Sequence, residues 1–211
     1  TCRLDGLLLK PDRPSVTIDR TWTERAFGKN ARVEGPKGEV WTTYSTIGSH
    51  ARWTYFLGVN LQNDFEIYPS DALQEGEFVQ SPRQVAYGYN KHSLGSSVSQ
   101  VIFFSDDSPL LINRGNNYGD FTYWIVCPEI VPGGPVLLGE LDKIVPVSRK
   151  RFQSTQATSS DLSFTMKGVP GESIQFSILQ SANNLSAIEE FSCIVSASGS
   201  VSFNYISKSC L

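Results

Sequence analysis

The chain has 211 residues, of which 40% are hydrophobic and 18% charged, and its net charge is −3. That balance suits a folded globular protein rather than a disordered one, and the length allows one large all-β domain. The small negative charge gives no general attraction to nucleic acid or an anionic membrane, and no apolar run approaches the roughly 20 residues of a spanning helix.

The chain opens on Thr1-Cys2-Arg3, which carries no leader pattern and reads as a mature or excised product. The first strand signal is Glu39 to Ser45, rich in β-branched and aromatic residues. Trp53 to Leu61 follows after a Gly-Ser-His turn, and two such runs joined by a short polar segment form a hairpin. Further strands are expected at Phe65 to Tyr68, Phe78 to Gln80, Gln84 to Tyr89, Val98 to Phe104, Phe121 to Val126 and Val136 to Leu141. Leu162 to Met166, Ile174 to Leu179, Phe191 to Val195 and Val201 to Ile206 complete the set. In the last third Ile174, Phe176 and Ile178 alternate with Ser173, Gln175 and Ser177, the period of two that marks a strand with one wet face.

Helix signals are confined to Ser70 to Gln74 and Ser186 to Glu190, each enough for a turn or two. Gly35-Pro36-Lys37-Gly38, Pro132-Gly133-Gly134-Pro135 and Gly168-Val169-Pro170-Gly171 punctuate turns. The expected fold is therefore all-β, a two-sheet antiparallel β-sandwich of jelly-roll type with little helix. The polar stretch Gln153 to Ser160 reads as a surface loop within one domain, residues 1–211. Its other reading is a linker before a terminal hairpin layer, residues 161–211.

Four cysteines, Cys2, Cys127, Cys193 and Cys210, lack the close spacing of a zinc or redox motif. A turn near Ser198-Gly199-Ser200 would fold the last two strand runs back on each other. Cys193–Cys210 is thus the preferred disulfide, leaving Cys2–Cys127 to tether the N-terminal segment. Four cysteines allow three connectivities, and four buried thiols in a cytosolic protein are the other reading. Asn184-Leu185-Ser186 is a glycosylation sequon, which agrees with a secreted, extracellular protein.

No motif fixes a catalytic activity: there is no G-x-S-x-G, no phosphate-cradling loop and no cysteine framed as a nucleophile. His50 and His92 lie in polar turns without ligand spacing, so no metal and no cofactor is expected. Arg149-Lys150-Arg151 reads as a solvated turn. The carboxylate pairs Asp106-Asp107 and Asp64/Glu66 also read as solvated, although a hydrolase site built on Asp106 or Asp120 stays open. More telling are the aromatic rings that share loops with amide and charged side chains. Tyr87, Tyr89, Asn90 and His92 form one such group; Asn113, Arg114, Asn116, Asn117, Tyr118 and Asp120 form another. One stacking face and several directed hydrogen bonds are what polyol recognition needs. Trp41, Trp53 and Trp124, inside strand patterns, are assigned to the core.

Leu7-Leu8-Leu9-Lys10-Pro11-Asp12-Arg13-Pro14, then Gly38-Glu39-Val40-Trp41 and Leu57-Gly58-Val59-Asn60-Leu61, resemble a known arrangement. They are similar to the region after the catalytic barrel in α-galactosidase-like and raffinose-synthase-like glycoside hydrolases, where the chain enters a C-terminal β-sandwich. Leu138 to Lys143 and Gly168 to Glu172 would match its distal strands. The resemblance implies a non-catalytic companion domain, because the family's catalytic aspartates sit on a barrel that this chain lacks. The leading expectation is a secreted sandwich that binds a glycan or oligosaccharide, or supports a glycosidase. An extracellular structural or assembly module that self-associates is the alternative; an upstream catalytic domain would be the partner of the accessory-domain reading.

Overall fold

The structure, a computed structural model, describes residues 39–48, 51–59, 65–68, 84–91, 97–105, 107–112, 121–182 and 185–211. Among them there is no helix, and the chain is all-β. In chain order the strands are β1 (Glu39–Ile47), β2 (Ala51–Val59), β3 (Phe65–Ile67), β4 (Gln84–Lys91), β5 (Ser97–Phe104), β6 (Leu110–Ile112) and β7 (Phe121–Cys127). There follow β8 (Val136–Gly139), β9 (Phe152–Ala157), β10 (Leu162–Lys167), β11 (Ser173–Ala182), β12 (Leu185–Ile194), β13 (Ser200–Asn204) and β14 (Ser209–Cys210). The expected strand at Phe78 to Gln80 and the helical turn at Ser70 to Gln74 lie outside the described residues.

The described residues fall into two compact units: those within 45–53 and 127–211 form one, those within 39–44 and 54–126 the other. In the second unit β2 runs antiparallel to β7, from Thr54 opposite Val126 to Val59 opposite Phe121, and β4 runs antiparallel to β5. The strand order is β1-β2-β7-β4-β5, with β3 and β6 as a separate antiparallel pair. Tyr55, Phe56 and Trp124 are buried, and Tyr55 stacks on Tyr123 with ring centroids 6.4 Å apart.

The first unit has two sheets, ordered β14-β13-β10-β9 and β12-β11-β8. Their apolar positions follow the period of two: Leu162, Phe164 and Met166 on β10, Val201 and Phe203 on β13, and Ile174, Phe176 and Ile178 on β11 are all buried. Rings from both sheets meet. Phe164 and Phe203 of one sheet touch Phe176 of the other edge-on, at 5.1 and 4.9 Å, and Phe203 also meets Phe191 at 4.8 Å. Phe152 closes on Phe164 at 5.6 Å. Edge-to-face geometry adds to the burial of these large side chains. Trp53 is fully buried in this unit and donates its indole N–H to the Leu137 carbonyl at 2.8 Å, which satisfies its one polar atom.

Three local expectations change. Ser186 to Glu190 is strand, because β12 pairs β11 without a break from Ala182 opposite Leu185 to Ser173 opposite Ile194. Gln153 to Ala157 belongs to β9, an edge strand laddered to β10 from Ala157 opposite Leu162. The run at Val201 to Ile206 ends at Asn204, where residues 205–208 turn; Lys208 sits there at φ 50°, in the left-handed region.

The disulfide Cys193–Cys210 is formed, with Cα atoms 5.7 Å apart. Its route differs from a simple hairpin. After Cys193 the chain turns through Ser196 to Gly199 and leaves the three-stranded sheet, and β13 then pairs with β10 in the other. β14 lies beside β13, Cys210 opposite Phe203, so the bridge joins the two sheets. Cys2, the other half of the expected second bridge, lies outside the described residues. Cys127 is fully buried on β7, and burial pushes its thiol upward.

Two stability outcomes follow from this packing. Replacing both Cys193 and Cys210 with Ser should lower unfolding free energy by about 3 kcal/mol, the chain-entropy value for a loop near this length; denaturant titration checks it against the untreated and reduced protein. Phe164→Ala removes the ring shared by three others and should cost about 3–5 kcal/mol, read as a lower denaturant midpoint.

Candidate functional site

Of the residues first expected to bind ligand, three lie among the described residues. Tyr87, Tyr89 and Asn90 fall within β4, opposite Val101, Ser99 and Val98, and so occupy strand rather than loop positions. His92, Asn113, Arg114, Asn116, Asn117, Tyr118 and Asp120 lie outside the described residues, as do Asp106 and the sequon residue Asn184.

A different site is present in the first unit. A cleft of about 350 Å³ is lined by Leu141 and Asp142 on one side and by Gln175, Phe176, Ser177, Glu190, Phe191 and Ser192 of β11 and β12 on the other. Register builds its floor: Gln175 is opposite Ser192 and Ser177 opposite Glu190, so their Cβ atoms form a compact square about 5 Å across each rung. These are the polar alternates of the strands. Phe176, the residue between Gln175 and Ser177, turns its ring into the core, and Phe191 packs there with Phe203.

The wall exists because β8 stops early. β8 pairs β11 only from Val136 opposite Leu179 to Gly139 opposite Ser177, with a register shift between Ser177 and Ile178. Gly139 adopts φ 86°, and a Cβ there would run into Pro146 and Val147, so only glycine suits the exit. The turn that follows is closed by Glu140 N–H donating to the Pro146 carbonyl (3.0 Å) and Lys143 N–H donating to the Glu140 carbonyl (2.9 Å).

The wall is anchored by Arg151. Its Nε donates to Glu140 Oε2 at 3.0 Å, Nη1 donates to the Lys167 carbonyl at 2.7 Å, and Nη1 and Nη2 both donate to the Glu172 carboxylate. Glu172 also accepts the Val169 N–H at 2.8 Å. A side chain at Gly168 would strike this carboxylate and the guanidinium. Arg151 is therefore a bound cation, not a member of a solvated basic run; only Arg149 and Lys150 are exposed. Burial pushes the Glu140 carboxyl above its usual range, outweighing the attraction of Arg151. The Arg151 hydrogen bonds and the Val169 N–H hold Glu172 down to about 2.

The polar groups on the floor differ in how far they are engaged. Ser177 is 5% exposed and lines the cleft. Gln175 and Glu190 have no side-chain partner among the described residues. Ser192 is held by the Ser173 hydroxyl at 2.8 Å, and Asp142 pairs with the Lys143 ammonium at 3.0 Å. The cleft thus offers an amide, two hydroxyls and two carboxylates over a rigid two-strand floor. That array can bind a hydroxyl-rich ligand. No group of three or more metal-ligating side chains occurs among the described residues. No helix among them is long and apolar enough to cross a membrane.

The class defined by fold and site is an all-β, disulfide-stapled protein with a polar cleft at a sheet margin. Compared with known proteins, the chain matches no family model, no curated sequence and no solved structure.

Glu172, held below its ordinary value, contributes stability that is complete above pH 4.5 and drains as pH falls toward about 2. Glu140 acts in the opposite sense, since its raised value favours the protonated form and opposes folding as pH rises through it. Glu172→Gln should flatten the fall in stability between pH 4.5 and 2, measured by denaturant titration at a series of pH values.

Proposed function

We propose that this chain is a secreted, non-catalytic β-sandwich module that binds carbohydrate, in the manner of an accessory domain to a glycoside-hydrolase-like enzyme. The observation that carries the reading is the cleft floor, where Gln175, Ser177, Glu190 and Ser192 present donors and acceptors at strand spacing. Sugars are recognised by several directed hydrogen bonds held at fixed separations, and two laddered strands hold them with little entropy left to lose. Ser177 adds to the case: the residue is nearly buried, and it lines the cleft where a ligand can replace the water at its hydroxyl. Secretion is supported by the Cys193–Cys210 disulfide and by the sequon at Asn184. The resemblance of the Pro11 to Pro14 and Gly38 to Leu61 segments to post-barrel sandwich domains points the same way.

Stacking has a smaller part in this reading than the aromatic content suggests, because Phe176 and Phe191 are spent on the core. Specificity then comes from hydrogen bonding. A glycan array and thermal-shift panel should return at least one oligosaccharide ligand. Gln175→Ala should weaken its binding by about 3- to 10-fold, the worth of one hydrogen bond, with the unfolding temperature unchanged. An array without a hit, and no thermal gain from any saccharide, would sink the proposal.

A further inference from the structure

The charge of the cleft narrows the ligand further. Asp142 and Glu190 both line it, and none of its lining residues is a cation. Three positive groups of this unit are engaged in ion pairs. Lys143 sits on Asp142 at 3.0 Å, Arg151 is divided between Glu140 and Glu172, and Lys208 is held by Glu189 at 2.7 Å. An ionised carboxylate has acceptors only, so two of them require donors from whatever occupies the site. A neutral sugar supplies hydroxyl donors but leaves Glu190, which has no ion pair among the described residues, without a counter-charge. A protonated amine supplies three donors and the missing charge in one group, and such charge-assisted bonds are roughly twice as strong as neutral ones. The Asp142–Lys143 pair does not stand in the way: both side chains are more than half exposed, and exposed ion pairs are weak and readily exchanged. The two hydroxyls and the amide remain for the ring hydroxyls of the same ligand, in a volume within the range of small-molecule sites.

We infer that the cleft between the Leu141–Asp142 turn and the β11–β12 floor selects cationic amino sugars, with Asp142 and Glu190 binding the ammonium and Gln175, Ser177 and Ser192 the hydroxyls. This rests on the carbohydrate reading and adds the sign of the ligand's charge. It follows that binding weakens with salt, as screening shortens the reach of the two carboxylates.

The test uses the full chain and three probes: a glucosamine hexamer, the N-acetylglucosamine hexamer of equal length, and a hexalysine peptide, each titrated by calorimetry at low and high salt. The expected result is that the glucosamine hexamer binds at least tenfold tighter than its acetylated counterpart. D142N with E190Q should abolish that difference while the unfolding temperature holds. E190K serves as a second variant and should repel the same probe. Equal or tighter binding of the acetylated hexamer, or a glucosamine preference indifferent to both substitutions, overturns the charge assignment while leaving the carbohydrate reading intact. Tighter binding of hexalysine than of either saccharide overturns it in favour of a basic peptide. Failure of every saccharide to bind overturns both.

Discussion

The Arg151 guanidinium is the point through which the first unit is organised. Four segments converge on it: the exit of β8 through Glu140, the start of β9, the end of β10 through the Lys167 carbonyl, and the turn into β11 through Glu172. These segments belong to both sheets of the unit, so one side chain ties strand ends of each together. The planar fork makes this feasible. It presents donors in several fixed directions, and a lysine ammonium could not reach a carboxylate on each side and a carbonyl together. Removing Glu140 from water has a cost, visible as its raised titration, and the guanidinium offsets it with a direct bond. Glu172 lies nearer water and is simply held ionised. The wall of the cleft thereby inherits its position from an ion pair outside the cleft.

Around that anchor, two other kinds of force divide the work. The interior is a layer of rings, with Phe152, Phe164, Phe176, Phe191 and Phe203 in successive contact from one sheet to the other. At one end the layer meets water through a polar cluster. The Tyr205 hydroxyl donates to Glu189, and Lys208 closes over the Phe191 and Tyr205 rings while pairing with the same carboxylate. Asp161 completes a further joint, accepting from the Leu162 and Ile206 N–H groups and from the Asn204 amide. The polar groups at this end of the core are thus bonded to one another.

How much of this could be read in the chain depended on whether the information was local. The alternation of Ile174, Phe176 and Ile178 with Ser173, Gln175 and Ser177 is local, and both the buried and the wet face of β11 followed from it. β9 was misread because Gln153 to Gln156 carries no apolar alternates; its conformation is imposed by the ladder to β10 rather than by its own residues. Ser186 to Glu190 resembled a helical turn until its full-length pairing with β11 is considered. The pairing of Cys193 with Cys210 was legible, but not the change of sheet between them. Arg151 was hidden in a basic run because nothing in its spacing points to Glu140 and Glu172. The cleft was out of reach for the same reason: its floor is visible as a pattern, and its wall arrives from the distant turn after Gly139. Of the ligand residues first chosen, only Tyr87, Tyr89 and Asn90 lie among the described residues, and they are on a strand.

The bridge between Cys193 and Cys210 also has a mechanical meaning. It joins β12 to β14, strands that share no ladder and lie in different sheets, across a sequence separation of 17. A pull on the chain end beyond Cys210 is therefore delivered through sulfur to the ten-residue strand β12, bypassing β13 and the two-residue β14. Roughly 60 Å of chain, at about 3.5 Å per extended residue, stays out of the load path while the bond is intact. What resists is the ladder between β11 and β12, the same pair of strands that forms the floor of the cleft. Tension on this terminus would thus reach the floor of the cleft before it reached β13 and β14.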